Sequence, residues 1–343
     1  MRLIKTKQGT LDWEKLRETR IGSSEVYDIV RYYATDTELQ NCGINAEAFR
    51  NEEPYTTAWA LYHKMLKDGL YKRASVEPED AEYGHAVEPY GVHRLNLNRK
   101  RKLTPGKVYI SDRLIASLDA SGVAEDIDRV PYTYGHGTPK PGQKFVCEQK
   151  SMRPQAVKNG IPFKYIIQAQ YQVLQTKADF FILQIMVLDE DTPFIRGKIC
   201  QMSRPKRFKY FDEHLSVSNY YFKNNPHLSA LIETCINRFF GAVEMLDEPK
   251  PFIATDSQQN IIESIRQNAL FNDGAVFDID LKAYLEAKES EDKVKAHRTQ
   301  ELQRLIDTAK EYNVCRFRSP DGTTAQFSKN GRFLVKPPKE VTV

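Results

Sequence analysis

The spacing of apolar residues in the first 200 positions changes between a helical and a strand-like period. Apolar residues recur at helical spacing after Ser23 and Ser24, through residues 56–69, and through residues 163–176. A further helix is expected from about residue 79 to Glu88, where Pro89 perturbs it because proline lacks a backbone N–H. Either Ser23 or Ser24 is expected to cap the first of these helices.

Short runs rich in β-branched and aromatic residues lie between these helical segments. They predict strands at residues 107–111, 114–123, 144–148, 180–188 and 194–202. Helices, then about three strands, a helix and further strands predict an α/β core with a mixed central sheet flanked by helices.

The pattern changes again in the last third of the chain. Residues 205–275 favour helix with loops, and the charged segment that begins near residue 280 favours a long exposed helix or helical pair. The turn signals Pro320-Asp321-Gly322 and Asn330-Gly331 separate short β-rich runs, which predicts a small β-meander. We therefore divide the chain into a core at 1–200, a helical completion of that core at 201–278 and a helix-plus-meander extension at 279–343.

Composition narrows the class of protein without identifying it. The 343 residues are 41% hydrophobic and 28% charged, and 50 basic against 46 acidic residues leave a net charge of +4. Nucleic-acid binding would therefore depend on local basic patches. Five dispersed cysteines favour neither a disulfide framework nor a zinc site and suggest a reducing cytoplasm. No apolar run is long enough for a signal peptide or a membrane span, and no glycine-rich phosphate loop is present.

Three carboxylates and one lysine form the most informative chemical pattern. Glu148 and Lys150 lie two residues apart on a predicted strand, so both side chains point to the same face. Such a pair suits phosphodiester hydrolysis, because the carboxylate can hold a divalent cation and the lysine can orient the attacking water. Asp119 lies in an apolar strand and Glu88 at the end of a helix. Each residue alone has an ordinary structural explanation, but their order on helix, strand and strand allows them to converge at one sheet edge.

Four motifs in the same order extend this pattern over roughly residues 13–190. They run from Trp13 to Val26, from Gly84 to Glu88-Pro89, from Ala116 to Gly122, and from Glu148-Gln149-Lys150 to the later Gln168. This arrangement resembles the lambda-exonuclease and YqaJ-like viral recombinase nucleases, a family of the PD-(D/E)xK superfamily. The resemblance implies a PD-(D/E)xK nuclease core.

The resemblance also implies a role for each matching residue. Glu88, Asp119, Glu148 and the Gln149 carbonyl would bind Mg²⁺ or Mn²⁺, and Lys150 would position the water. Gln168 would support the lysine or the scissile phosphate, while Arg17 and Ser24 would hold the 5′-terminal phosphate of a DNA end. Leu118 stands where the family has proline, so Asp112 and Asp126 are rivals of Asp119. Arg20 is a rival of Arg17.

The activity implied is that of a phage-type alkaline exonuclease, which degrades one strand of linear duplex DNA 5′ to 3′ for single-strand annealing recombination. The expected partners are double-stranded DNA ends, a single-strand annealing protein and further copies of the chain in a trimer. A bacterial cytoplasm and a phage or prophage origin are implied, with no membrane. Two alternatives stay open, namely an endonuclease or nickase with the same centre and a non-catalytic DNA-end binder. Basic runs at 99–102 and 204–209 are further candidates for contact with a DNA backbone.

Overall fold

The computed structural model describes residues 1–6, 8–68, 78–133 and 136–250, three C-terminal strands and the single helical positions Lys293, Gln300 and Arg304. The chain divides into two compact units, Met1–Asn272 and Asp273–Val343. The domain boundaries predicted at residues 200 and 278 stay predictions, and most of the predicted charged helix lies outside the described residues.

Eleven α-helices lie in the described part of the first unit: α1 (Leu11–Glu18), α2 (Val26–Tyr33), α3 (Asp36–Asn41), α4 (Ala46–Asn51), α5 (Ala58–Leu66), α6 (Pro78–Asn96), α7 (Pro154–Val157), α8 (Phe163–Thr176), α9 (Pro193–Gln201), α10 (Arg204–His214) and α11 (Pro226–Met245).

Two mixed sheets lie among these helices. The small sheet has the order β1 (Arg2–Ile4), β4 (Val108–Ile110), β5 (Leu114–Ser117), β2 (Ile21–Gly22), with only the β2–β5 pair parallel. The central sheet has the order β3 (Thr104–Pro105), β6 (Ala120–Val123), β7 (Lys144–Met152), β8 (Phe180–Leu188), β9 (Leu215–Lys223), with only β7 and β8 parallel. The predicted α/β fold with a mixed sheet flanked by helices is confirmed.

In the second unit, three strands form an antiparallel meander, β10 (Arg316–Arg318), β11 (Thr324–Phe327) and β12 (Phe333–Lys336). The predicted β-meander is therefore confirmed, while both of its predicted turns lie outside the described residues.

Helix α8 connects the two parallel strands of the central sheet and covers one of its faces. Its buried residues include Ile167, Ala169, Tyr171 and Val173, the apolar positions that predicted the helix. At its start, the carboxylate of Glu52 accepts hydrogen bonds from the N–H groups of Phe163 and Lys164 at 2.6 and 2.9 Å. A distant side chain thus satisfies two of the N–H groups that a helix leaves without internal partners.

Helix α6 extends beyond Glu88, where the sequence predicted that Pro89 perturbs it. The helix continues through Pro89 to Asn96. Proline removes one backbone hydrogen bond, but the buried residues Tyr83, Val87 and Tyr90 pack this helix against a cluster that includes Met186 and Leu188 of β8. Tertiary packing holds the helix across its proline.

The strand predicted at 194–202 is not formed, because residues 194–201 belong to helix α9. Thr192 caps the helix by accepting from the N–H of Ile195, and Pro193 occupies the first turn, where proline needs no N–H partner. Arg196 is buried on the inner face, where Asp191 and Asp80 pair with it. A strand would carry Arg196 and Ile199 to opposite faces, whereas the helix buries both.

Three further predictions about the bounds and caps of single elements are also corrected. The strand predicted at 114–123 is divided between the two sheets, as β5 and β6. Neither Ser23 nor Ser24 caps α2, because the N-cap position is Glu25 and makes no side-chain capping bond. Helix α5 ends at Leu66, before the predicted end at Gly69, with Lys67 in a left-handed conformation (φ 56°).

The region predicted to be mainly helical at 205–275 also contributes the edge strand β9. Its polar residues Ser216, Ser218 and Asn219 obscure the strand pattern, and pairing along the whole length of β8 stabilises it. Within the described residues no helix is both long enough and apolar enough to cross a membrane.

Candidate active site

The alternation of side chains along β7 places the sequence Glu148-Gln149-Lys150 across both faces of the central sheet. Val146 and Glu148 face α8, where Val146 joins an apolar cluster with Ala169 and Val173. Gln149 points to the opposite face, where its amide contacts Gln184 of β8 at 2.8 Å. The acid and the lysine therefore share one face, as their spacing predicted.

Both carboxylate oxygens of Glu148 are held by side chains that approach from α8 and from β7 itself. Oε1 accepts from Gln168 Nε2 at 2.6 Å and Oε2 from Gln172 Nε2 at 2.6 Å. The amine of Lys150 lies 2.7 Å from Oε1. The Glu148 side chain is only 2% exposed, so these partners stabilise a charge that burial would otherwise disfavour.

Asp119 occupies the point where the chain leaves the small sheet for the central sheet. It follows β5 and immediately precedes β6, and its Oδ2 accepts from the N–H of Gln149 at 2.7 Å. Burial, and then the negative charges of Glu148 and Glu88, raise the pKa of Asp119 well above its ordinary value. This carboxyl therefore lies close to two others, in a setting that favours its neutral form unless a cation is near.

Glu88 approaches the same place from α6. Its side chain is 37% exposed, and His85 Nδ1 lies 3.8 Å from its Oε1. Burial raises the pKa of Glu88 above its ordinary value, an effect that His85 opposes and Glu148 reinforces. The carboxylate is thus influenced both by its own helix and by β7.

The position of Glu88 depends on a close contact between α6 and the sheet. The side-chain amide of Gln149 lies 3.1 Å from the carbonyl oxygen of Glu88 and 3.0 Å from the nitrogen of Val92, the two groups that a regular α-helix would join. A Cβ atom at Gly91 would overlap the amides of Gln184 and Gln149. Gly91 is therefore required for this approach, and β7 positions Glu88 through Gln149.

Lys150 is surrounded by negative and aromatic groups. Burial lowers the pKa of Lys150, but Glu148, Tyr55 and Asp119 raise it more, so its pKa lies above the ordinary value. Its Nζ also lies 5.1 Å from the centre of the Tyr165 ring. The amine is therefore charged at neutral pH, and it balances part of the charge of the three carboxylates.

Arg17 and Ser24 lie at the other end of the site. Arg17 Nη2 donates to Ser24 Oγ at 3.3 Å, and the guanidinium lies 5.1 Å from the Trp13 ring. Trp13 is in turn held by a 2.8 Å hydrogen bond from its Nε1 to Ser117 Oγ. The hydroxyl of Ser23, which is 7% exposed, has no hydrogen-bond partner among the described residues. A guanidinium and a buried, unsatisfied hydroxyl suit a phosphate group.

One cleft of about 230 Å³, which we call the acidic cleft, brings these groups together. It is lined by every site residue that the sequence predicted, namely Arg17, Ser24, Glu88, Asp119, Glu148, Gln149, Lys150 and Gln168. The rival residues lie elsewhere. Asp112 and Asp126 are exposed, and Arg20 donates to the carbonyls of Ser111 and Leu16 at 2.9 and 3.3 Å. The geometry therefore favours Asp119 and Arg17 over their rivals.

The donor chemistry of the cleft suits a hard divalent cation, although the carboxylates do not enclose one. Within the described residues no group of three or more His, Cys, Asp and Glu side chains stands close enough to hold a metal ion. Lys150 and the two glutamines occupy the Glu148 oxygens instead. The oxygen donors of the cleft fit a divalent cation, and such a cation would relieve the mutual repulsion of the carboxylates. Glu88, Asp119, Glu148 and the Gln149 carbonyl stay a predicted ligand set.

Gln172 is the site residue that the sequence reasoning did not single out, although it belongs to the same glutamine-rich helix as Gln168. It lies one helical turn after Gln168 and donates to Glu148 Oε2 and to the carbonyl of Ser117. The four-residue spacing of the two glutamines on one helix face was the available signal. Trp13, Ser23 and Ser117 also line the cleft and were not predicted as site residues.

Of the two basic runs, the first is split between structural and exposed residues. Arg99 is buried and pairs with the buried Asp128, whereas Arg101 and Lys102 are exposed. In the second run, Arg207 donates to the carbonyls of Ile199, Cys200 and Met202. Arg99 and Arg207 therefore support the fold.

Comparison with known proteins identifies no family for the chain. No protein-family model matches it. No curated protein matches it by sequence. Three similar solved structures are LHK-Exo in complex with dAMP (16% identity, 69% of this chain and 94% of that one, TM-score 0.39), the alkaline exonuclease LHK-Exo from Laribacter hongkongensis (13%, 69% and 96%, 0.39) and a phage related exonuclease from Haemophilus somnus 129PT (10%, 68% and 97%, 0.41). These TM-scores are too low to support an argument about activity, so the functional argument rests on the cleft.

Proposed function

We propose that this chain is a metal-dependent deoxyribonuclease that hydrolyses phosphodiester bonds in its acidic cleft. One observation supports this most directly: three carboxylates, a lysine and an arginine–serine pair, contributed by five separate parts of the chain, line a single cleft. Carboxylates without basic groups would repel a phosphodiester, and basic groups alone would bind it without cutting. Together they suit cation-assisted hydrolysis.

The proposal gives each residue the role that the motif resemblance implies. Glu88, Asp119, Glu148 and the Gln149 carbonyl would hold Mg²⁺ or Mn²⁺, which supplies Lewis-acid stabilisation of the charge that develops on the phosphate. Lys150 orients the attacking water or offsets charge on phosphorus. Gln168, whose amide oxygen has no hydrogen-bond partner within the described residues, is available to a polar ligand in the cleft.

The end of the cleft formed by Arg17 and Ser24 favours an exonuclease over an endonuclease. It offers a phosphate site beside the cutting centre, which a DNA end with a 5′ phosphate would occupy and an internal bond would not need. Degradation from 5′ to 3′ follows from this assignment. The resemblance of the motifs extends the proposal to recombination, with a single-strand annealing protein as partner and a trimer as the assembly.

Digestion of 5′-labelled, 5′-phosphorylated linear duplex in Mg²⁺ tests the proposal. We expect Lys150→Ala to abolish cutting, because it removes the amine that lies 2.7 Å from Glu148. Arg17→Ala should cut linear duplexes with and without a 5′ phosphate, and it should lose the preference for the phosphorylated end. A circular plasmid should remain intact until it is linearised.

Arg20→Ala is the matched control for Arg17→Ala, since Arg20 binds backbone carbonyls outside the cleft. It should lower the melting temperature and keep the preference for a 5′ phosphate. Nicking of the circular plasmid would instead support the endonuclease alternative. Binding of DNA ends without any release of nucleotides in Mg²⁺ or Mn²⁺ would support the non-catalytic alternative.

A further inference from the structure

A second cleft, which we call the basic cleft, opens beside the acidic one. It has a volume of about 430 Å³, and its lining includes Arg101, Lys102, Lys107, Tyr109, Ser121 and Lys144. This volume falls within the range of sites that bind small molecules or single nucleotide units. Four of the lining residues are basic, and none of the described lining residues is acidic.

The amines at this cleft can reach a ligand, although Lys102 Nζ already donates to the carbonyl of Asn96 at 3.0 Å. Arg101, Lys102 and Lys144 are exposed and Lys107 is half-buried, and none of the four forms an ion pair in the described part of the chain. Arg101, Lys102 and Lys107 come from the segment before β4 and Lys144 from the start of β7, so the fold gathers their charges from separate parts of the sequence.

Two nearby carboxylates are used in other ways. Glu125 accepts from the backbone N–H groups of Lys100 and Arg101 at 3.0 and 2.6 Å, and Asp179 accepts from the backbone N–H of Lys144 at 2.7 Å. Both hold the backbone in place, and neither lines the cleft. They reduce the local positive charge without occupying the amines.

The interior of the cleft is adapted to more than a simple anion. Tyr109 and Val123 are half-buried in the lining and provide aromatic and apolar surface, whereas Phe145 and Leu118 are almost fully buried. The hydroxyl of Ser121 is buried and has no hydrogen-bond partner among the described residues. Cations around a partly exposed aromatic ring, here that of Tyr109, suit single-stranded nucleic acid, whose bases stack while its phosphates contact lysine and arginine.

The basic cleft is also aligned with the acidic one. Lys144, Val146, Glu148 and Lys150 occupy every second position of β7 and therefore share one face of the strand. Lys144 lies roughly 13 Å along the strand from Glu148. Neighbouring residues of the chain line the two clefts, Ser117 the acidic one and Leu118 the basic one. The two clefts therefore lie at different points along β7, and α8 packs over Val146 between them.

We infer that the basic cleft binds a single strand of nucleic acid next to the cutting centre. This goes beyond the proposed function, which assigns only the acidic cleft. Because binding can be measured without cutting, its test is separate from that of the nuclease.

The test uses the full chain with a fluorescein-labelled 12-nucleotide oligothymidylate in EDTA, with binding followed by fluorescence anisotropy over a range of salt concentrations. In the double variant Lys107→Gln/Lys144→Gln we expect about tenfold weaker binding. The slope of log K against log salt should fall by about 1.4, which is about 0.7 for each single-strand phosphate that a lysine no longer neutralises. Lys67→Gln/Lys198→Gln removes two exposed lysines that line neither cleft and belong to neither basic run, and it should leave both values unchanged.

Protection from chemical acetylation adds a direct readout, since the oligonucleotide should shield Lys144 and leave Lys198 reactive. Equal losses of affinity in both double variants, or no protection of Lys144, would overturn the inference. If Lys150→Ala left cutting intact, the nuclease proposal would fail while these binding measurements still decided the role of the basic cleft.

Discussion

Two glycines of α6 offer a matched pair of substitutions that tests how closely this helix approaches the central sheet. Gly84 and Gly91 both lie inside the helix, so replacement by alanine improves the helix propensity of each by about 1 kcal/mol. At Gly84 the added Cβ has no neighbour within 4 Å. At Gly91 it overlaps the amides of Gln149 and Gln184.

The amides cannot move away from Gly91 without cost, although they end flexible side chains. Gln149 is 6% exposed and Gln184 is fully buried, and Gln184 Nε2 also donates to Asn219 Oδ1 at 3.0 Å. Displacement breaks buried hydrogen bonds, and each buried group left unpaired costs about 1–3 kcal/mol. Gly84→Ala should therefore stabilise the protein by up to about 1 kcal/mol. The free energy of unfolding of Gly91→Ala should be about 1–3 kcal/mol lower than that of Gly84→Ala.

Urea denaturation of both variants measures this difference, provided that the m-value stays the same. Cutting activity provides the second readout. Gly91→Ala should reduce it by about tenfold or more, because the displaced Gln149 amide contacts the backbone of Glu88. Gly84→Ala should retain activity. Equal stability of the two variants, within about 0.5 kcal/mol, would refute the close contact between α6 and the sheet.

Three further predictions concern the hydrogen bonds and charges in and near the two clefts. Gln172→Ala should reduce cutting about 10- to 100-fold by releasing one oxygen of Glu148; Gln170→Ala on the same helix, whose amide contacts Asn224 and Ser229, should keep its activity in the same assay. Because the pKa of Asp119 is raised in the folded protein, the free energy of unfolding falls as pH rises through that pKa and the buried carboxylate becomes charged. At neutral pH and without metal, Asp119→Asn should therefore unfold at a higher urea concentration than wild type. A lower urea midpoint for this variant at neutral pH would contradict the prediction. Arg99→Met should lose about 3–5 kcal/mol in urea denaturation, because it leaves a buried carboxylate unpaired; an unchanged midpoint would show that the pair is unimportant for folding.

The sequence by itself determined the part of the site that depends on local periodicity. Alternation along a strand places Glu148 and Lys150 on one face, and helical spacing places Gln168 and Gln172 on another, whatever packs against them. The order of the carboxylates along the chain also predicted that they converge. Turn signals between short β-rich runs predicted the C-terminal meander in the same way.

Only the tertiary structure decided which residues meet across large distances in the sequence. Helix α6 continues through Pro89 because β8 and Gln149 hold it. Residues 193–201 form a helix that buries Arg196, where Asp191 and Asp80 pair with it. The break between β5 and β6 directs Asp119 into the cleft for a similar reason, since the two strands pair with different sheets. Local periodicity specifies which face a side chain occupies, whereas the partner on that face comes from distant segments whose packing no short stretch of sequence contains.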